Sequence, residues 1–101
     1  MRVVVFGGRD FTNRNMAFKA LDRIHAQYGI TTVIDGEARG ADTLAHLWAV
    51  SRGIDNLRFP ANWAKFGRSA GPIRNRQMIE EGKPEMGVAF PGGTGTKNMK
   101  E

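Results

Sequence analysis

Residues 2–11 read Arg2-Val3-Val4-Val5-Phe6-Gly7-Gly8-Arg9-Asp10-Phe11, an apolar β-branched run that ends on two glycines. Such a run suits a parallel strand buried on both faces, and the paired glycines suit a tight turn into a helix. The same pattern returns along the chain. Thr31 to Asp35 runs into Gly36, Ile54 to Phe59 into Pro60, and Met86 to Phe90 into Pro91-Gly92-Gly93. Ile54 to Phe59 is the weakest strand signal of the four.

Helical spacing fills the intervals. Met16, Ala17, Ala20, Leu21, Ile24 and Tyr28 form one apolar stripe, which Gly29 stops. Ala41, Leu44, Ala45, Leu47 and Trp48 form a second, ending near Gly53, with Trp48 in the core. A third helix is predicted from Pro72, whose missing N–H costs nothing at a first helical position, to Gly82, before Lys83-Pro84 breaks it. Strands alternating with helices mean α/β architecture, a three-layer fold with a mostly parallel sheet; if the loops that follow the strands converge on one edge, strands 1 and 4 are adjacent and the expected order is 3-2-1-4. Gly95 to Glu101 reads as a helix only just begun, so a chain shortened at its C-terminus relative to a longer family is expected.

With 101 residues, 41% hydrophobic and 25% charged, and neither repeats nor a linker, residues 1–101 read as one domain. No stretch approaches the roughly 20 apolar residues of a membrane span, so a cytoplasmic protein with no membrane partner is expected. Cysteine is absent and the two histidines lie far apart, which excludes disulfides and thiolate chemistry and argues against a metal; no cofactor is expected either. A formal charge of +5 favours anionic partners: nucleotides, nucleic acid or other phosphates. A homo-oligomer is compatible with all of this, but the sequence does not name the state.

Ligands of open parallel sheets sit beyond the carboxyl ends of the strands, so the loops there are the places to search. Seven of the thirteen glycines fall in three of them: Gly7-Gly8-Arg9-Asp10, Gly36-Glu37-Ala38-Arg39-Gly40-Ala41-Asp42, and Pro91-Gly92-Gly93-Thr94-Gly95-Thr96. Glycine lets consecutive N–H groups turn inward, and a helix N-terminus adds partial positive charge, so phosphate is the natural guest. Neither the P-loop lysine nor the third glycine of the dinucleotide motif is present. The remaining loop, Pro60 to Gly71, is long and polar.

Basic residues near these loops are Arg9, Arg39, Lys65, Arg68, Arg74, Arg76 and Lys97, of which Arg9 and Arg74 suit bidentate phosphate contact, while Arg76 and Lys97 are expected to face solvent. Asp10 and Asp42 are expected to orient arginines. Glu37, without an obvious helical partner, is the better candidate for chemistry. Trp63 could stack on a base, and Phe66 less readily; the alternative for both is packing onto the sheet. His25 and His46 lie in helices away from this edge.

Taken together, Gly7-Gly8-Arg9-Asp10-Phe11, the Gly36 to Asp42 loop, the run from Trp63 to Asn75 and Pro91 to Thr96 resemble the YspA-like (cpYpsA-related) family of the SLOG superfamily, over nearly the whole chain. That superfamily includes the DNA-processing protein Smf and the Lonely Guy phosphoribohydrolases. The resemblance implies a Rossmann-like fold and a pocket for a nucleotide or nucleotide-derived ligand, built from Gly7, Gly8, Arg9, Asp10, Glu37, Arg39, Gly40, Ala41, Asp42, Trp63, Arg74, Asn75, Gly92, Gly93, Thr94, Gly95 and Thr96. The Lonely Guy signature R-K-x-x-M then P-G-G-x-G-T-x-x-E meets Arg74-Asn75-Arg76-Gln77-Met78 and Pro91 to Met99. Asn75 replaces its lysine and Met99 its carboxylate, and Glu101 falls about 200° round a helix from Met99.

Phosphate binding survives this comparison, and the leading expectation is a nucleotide sensor or small processing protein. The alternatives are a Lonely Guy-like hydrolase, with Arg74 on the phosphate and Glu37 or Asp42 in place of the missing carboxylate, and a nucleic-acid binder of DNA-processing type.

Overall fold

Val3, Val4 and Val5 are the buried centre of β1 (Arg2–Phe6) in a computed structural model that describes residues 1–91. The other strands are β2 (Thr32–Asp35), β3 (Asp55–Arg58) and β4 (Met86–Ala89), all parallel, in the order β3-β2-β1-β4. β1 and β2 occupy the middle, where Val3 to Val5 and all four residues of β2 are buried. β3 and β4 have a neighbour on one side only among the described residues, and their burial alternates. The expectation that the fourth strand is buried on both faces is corrected, since Gly87 and Ala89 are exposed.

Helix α1 (Arg14–Tyr28) starts where the Asn13 side chain accepts the Met16 N–H, and stops at Gly29, whose φ of +72° is left-handed. Helix α2 (Ala41–Arg52) ends likewise at Gly53. Both pack on one face of the sheet, where Val3, Val5 and Val33 meet Ala17, Leu21, Leu44, Ala45, Ala49 and Trp48. The Trp48 ring is fully buried, and its Nε1–H donates to Asp22 Oδ1 at 2.8 Å. Three residues of the predicted stripes do not share this burial: Met16, Tyr28 and Leu47 are 40–49% exposed. They lie at the margins of the apolar arc, where a helix face turns towards water.

The segment after β3 is not the open loop its polarity predicts. Asn62 caps the short helix α3 (Trp63–Phe66) by accepting the Lys65 N–H, and a 3₁₀ turn (Gly67–Ser69) leads into α4 (Ala70–Glu80). α4 thus begins two residues before Pro72, which still lies in the first turn, where no intrahelical N–H is needed. Its Met78 packs on Val4 and Ile34, so α4 covers the opposite face and makes the third layer.

Candidate functional site

The glycines after β1 are there because backbone must pass backbone. Gly8 N donates to Pro91 O at 3.2 Å, while Gly8 O accepts the N–H groups of Phe11 and Ala41 at 3.2 and 3.3 Å. A Cβ on Gly7 would lie 2.8 Å from the Ala41 Cβ and 2.9 Å from Phe90 O. Gly40 is more constrained still, with φ at +79° and a would-be Cβ 2.2 Å from Gly8 O. Gly8 and Gly40 therefore meet at the carboxyl edge of the sheet, with β1 beside β4. Gly92, Gly93, Thr94, Gly95, Thr96, Lys97 and Met99 lie outside the described residues.

Beside this crossing opens a cavity of about 350 Å³ lined by Arg9, Gly36, Glu37, Ala38, Arg39, Pro60, Ala61, Trp63 and Arg74. Each contributor comes from a loop after a strand or from the helices that follow β3. Trp63 is half exposed, and the Arg9 guanidinium carbon lies 5.6 Å from its ring centroid, within cation–π range. Three arginines against one carboxylate give the lining a positive balance. Gly7, Gly8, Gly40 and Ala41 do not line it; their part is to bring the loops together. Asp10 is exposed and lines it no more than they do.

Two carboxylates lie under the floor. Asp35, at the end of β2, is wholly buried and accepts the Glu37 N–H at 2.7 Å, Asn56 Nδ2 at 2.9 Å and Arg58 Nε at 3.1 Å. Asp42, in the first turn of α2, is also buried and accepts the Gly36 N–H at 2.6 Å and the Ala38 N–H at 3.4 Å, both on Oδ2. Burial pushes the Asp42 carboxyl up to about 6; the nearby Asp35 charge acts in the same sense, against the two amide hydrogen bonds and the Arg74 charge.

These bonds correct one expectation. The amides of Gly36, Glu37 and Ala38 turn inward, but onto Asp42 and Asp35 rather than towards a ligand. This loop is a carboxylate-bound turn, and its conformation puts Glu37 at φ +61° on the cavity rim. The positive charge on this side of the cavity comes from the side chains of Arg9, Arg39 and Arg74.

Arg74, in the second turn of α4, is held on two sides. Its Nε donates to Asn75 Oδ1 at 3.0 Å, and its Nη1 donates to Gly36 O. A Cβ on Gly36 would lie 2.3 Å from that Nη1, so this glycine makes room for the guanidinium. Burial draws the Arg74 pKa down from its ordinary value; Asp42 and Asp35 counter this, while the Arg9 charge adds to it. Among the described residues Nη2 makes no hydrogen bond, and Arg74 is one of the residues that line the cavity.

Arg9, Glu37, Arg39, Trp63 and Arg74 were all candidates from the sequence, and they line one cavity; Asp42 and Asn75 stand behind it as supports. Arg68 and Arg76 are exposed and outside it, and Lys65 lies over the Phe66 ring. Sequence reasoning missed Asp35, Asn56 and Arg58. The available signal was the acid closing the apolar stretch Thr32-Val33-Ile34-Asp35, because a buried carboxylate must find donors. His25 Nδ1 accepts the Ile30 N–H, and His46 bonds Asn56, both away from the cavity lining. Among the described residues no cluster of His, Cys, Asp or Glu could hold a metal ion, and no helix is long and apolar enough to cross a membrane.

Comparison with known proteins bears on residues of this site. The YspA, cpYpsA-related SLOG family matches residues 1–66, a span that includes Arg9, Glu37, Arg39, Asp42 and Trp63. The Gene 61 protein of Mycobacterium phage D29 is 34% identical over 110 residues, covering 99% of this chain and 86% of that protein. No solved structure matches.

Proposed function

The chain belongs to the YspA, cpYpsA-related SLOG family, and from that premise we propose that it binds a nucleotide or nucleotide-derived phosphate ligand in the cavity at the carboxyl edge of the sheet, as a sensor or small nucleotide-processing protein. The observation that carries this reading is the lining itself: Arg9, Arg39 and Arg74 around one opening, with Glu37 and Trp63 on its rim. Arginine offers planar paired donors to phosphate oxygens, a carboxylate accepts ribose hydroxyls, and an indole half exposed to solvent offers a face for a base. The volume falls within the range of about 300–1,000 Å³ usual for small-molecule sites.

Arg74 is the group on which affinity should depend most, because its guanidinium is already fixed by Gly36 O and Asn75 and loses little freedom on binding. A thermal-shift screen over mononucleotides, cyclic dinucleotides and nucleoside diphosphate sugars should find a stabilising ligand, since native-state binding raises stability by mass action. Calorimetry on Arg74→Ala should then show binding weaker by about 1.5–3 kcal/mol, with the fold unchanged. If single-stranded DNA instead binds more tightly than every small ligand and is released steeply as salt rises, the site is a nucleic-acid surface and this reading is wrong.

A further inference from the structure

The buried carboxylates under the cavity differ in how they are compensated. Asp35 has its own cation, Arg58, at 3.1 Å, together with Asn56 and the Glu37 amide. Among the described residues Asp42 has only the two amides on its Oδ2. The cation that acts on it is Arg74, which reaches the other side of the same turn by donating to Gly36 O. One short loop therefore separates a buried acid from the guanidinium that the cavity offers to a ligand.

We infer that Asp42 is the proton-linked counter-charge of Arg74: an anion that enters the cavity and engages the guanidinium is bound together with a proton taken from solvent onto the Asp42 carboxylate. The inference rests on the phosphate-binding reading given above. An anion placed beside Arg74 offsets the positive field that favours ionised Asp42, while Asp35 continues to oppose that ionisation. The proton has a place to go. Oδ2 keeps both amide hydrogen bonds, and Oδ1 is the oxygen that becomes O–H, so the loop need not open.

The groups facing Asp42 set the sign. Asp35 from β2 disfavours its charge and Arg74 from α4 favours it, while Arg58 on β3 is engaged with Asp35. Among the described residues His46, one turn further along α2, reaches this network through Asn56. Neutralising Asp42 leaves the cavity more positive, so anion affinity rises as pH falls. The ordinary pull on phosphate is the reverse, because phosphate monoesters lose charge on acidification.

Sulfate separates these effects, being a dianion throughout the range. Its affinity for the wild-type protein, measured by calorimetry at constant ionic strength, should fall roughly two- to sixfold between pH 5.5 and pH 7.5, as for a ligand that raises one carboxyl pKa by about half a unit to one unit. Asp42→Asn should bind with the same affinity at both pH values, and His46→Gln should keep the wild-type slope. Should Asp42→Asn fail to fold, titrating the wild type in two buffers of different ionisation enthalpy decides the matter, with fractional proton uptake near pH 6.5 expected. Arg74-dependent sulfate binding with a flat pH profile, or without proton uptake, would overturn the linkage and leave the functional reading standing. Absence of any Arg74-dependent sulfate binding would overturn both.

Discussion

On the α1/α2 face of the sheet, Val3, Val5 and Val33 lie under Leu21, Leu44, Ala45 and a fully buried Trp48. On the α4 face, Val4 and Ile34 meet Met78, with Phe6 and Phe59 only partly buried beside them. Leu57, Ile79 and Phe66, on β3, α4 and α3, remain about 40–50% exposed. The first arrangement is a deep hydrophobic core. The second is a thin one, on the side where Arg74 projects from α4. The difference shows where this chain invests stability and where it carries charge: α1 and α2 bury apolar surface, whereas α4 spends much of its inner face on Arg74 and Asn75. Helices with few buried contacts open locally at lower free energy, so α4 is the element expected to exchange its amides first among the longer helices.

That contrast can be tested from its strongest side downward. Trp48→Ala should cost about 3–5 kcal/mol in urea unfolding, because it removes the largest side chain of the deep core and leaves a cavity behind. It also leaves Asp22 with Arg52 alone of its two side-chain donors. Met78→Ala should cost less, about 2–3 kcal/mol, because the thin layer can settle onto the gap. Its amide-exchange signature should be confined to α4 and its neighbours. If both substitutions cost the same and loosen the whole domain equally, the two faces do not differ in the way described.

Acid titration sharpens the comparison with smaller effects of opposite sign. Asp22, on α1, is pulled down to about 2, first by its hydrogen bond from Arg52 and next by that from Trp48. Its contribution is present above the unfolded value near 4 and is lost as pH falls towards 2. The pair is exposed, so its contribution is small, and Asp22→Asn should flatten that low-pH limb. Asp42 behaves conversely. Its carboxyl is raised to about 6, so the folded state holds the proton more tightly and ionisation costs stability as pH rises from about 4 to 6. Asp42→Asn, which keeps an oxygen for the Gly36 amide, should be more stable than wild type at pH 7.5, by about 1–2 kcal/mol, with the advantage shrinking by pH 4. Thermal unfolding from pH 2 to pH 7.5 checks both substitutions.

The strands and the longer helices could be read from residues alone because each signal is local or repeats at a short period. Val3 to Val5 needs cover on both faces, Gly29 and Gly53 end helices with left-handed backbone, and Ala41, Leu44, Ala45 and Trp48 recur at the helical period. Arg9, Glu37, Arg39, Trp63 and Arg74 were legible as a group because parallel strands deliver their following loops to one edge. The partners of those residues were not legible. Whether the Gly36, Glu37 and Ala38 amides face a ligand or the protein's own acids depends on where Asp35 and Asp42 come to rest. Arg74 finds Gly36 O across 38 positions, and Asn56 finds Asp35 across 21. No periodicity encodes such pairings. They arise because a carboxylate or guanidinium removed from water must be matched by whatever donor or acceptor the packed chain brings within about 3 Å, and that is decided only when the layers close.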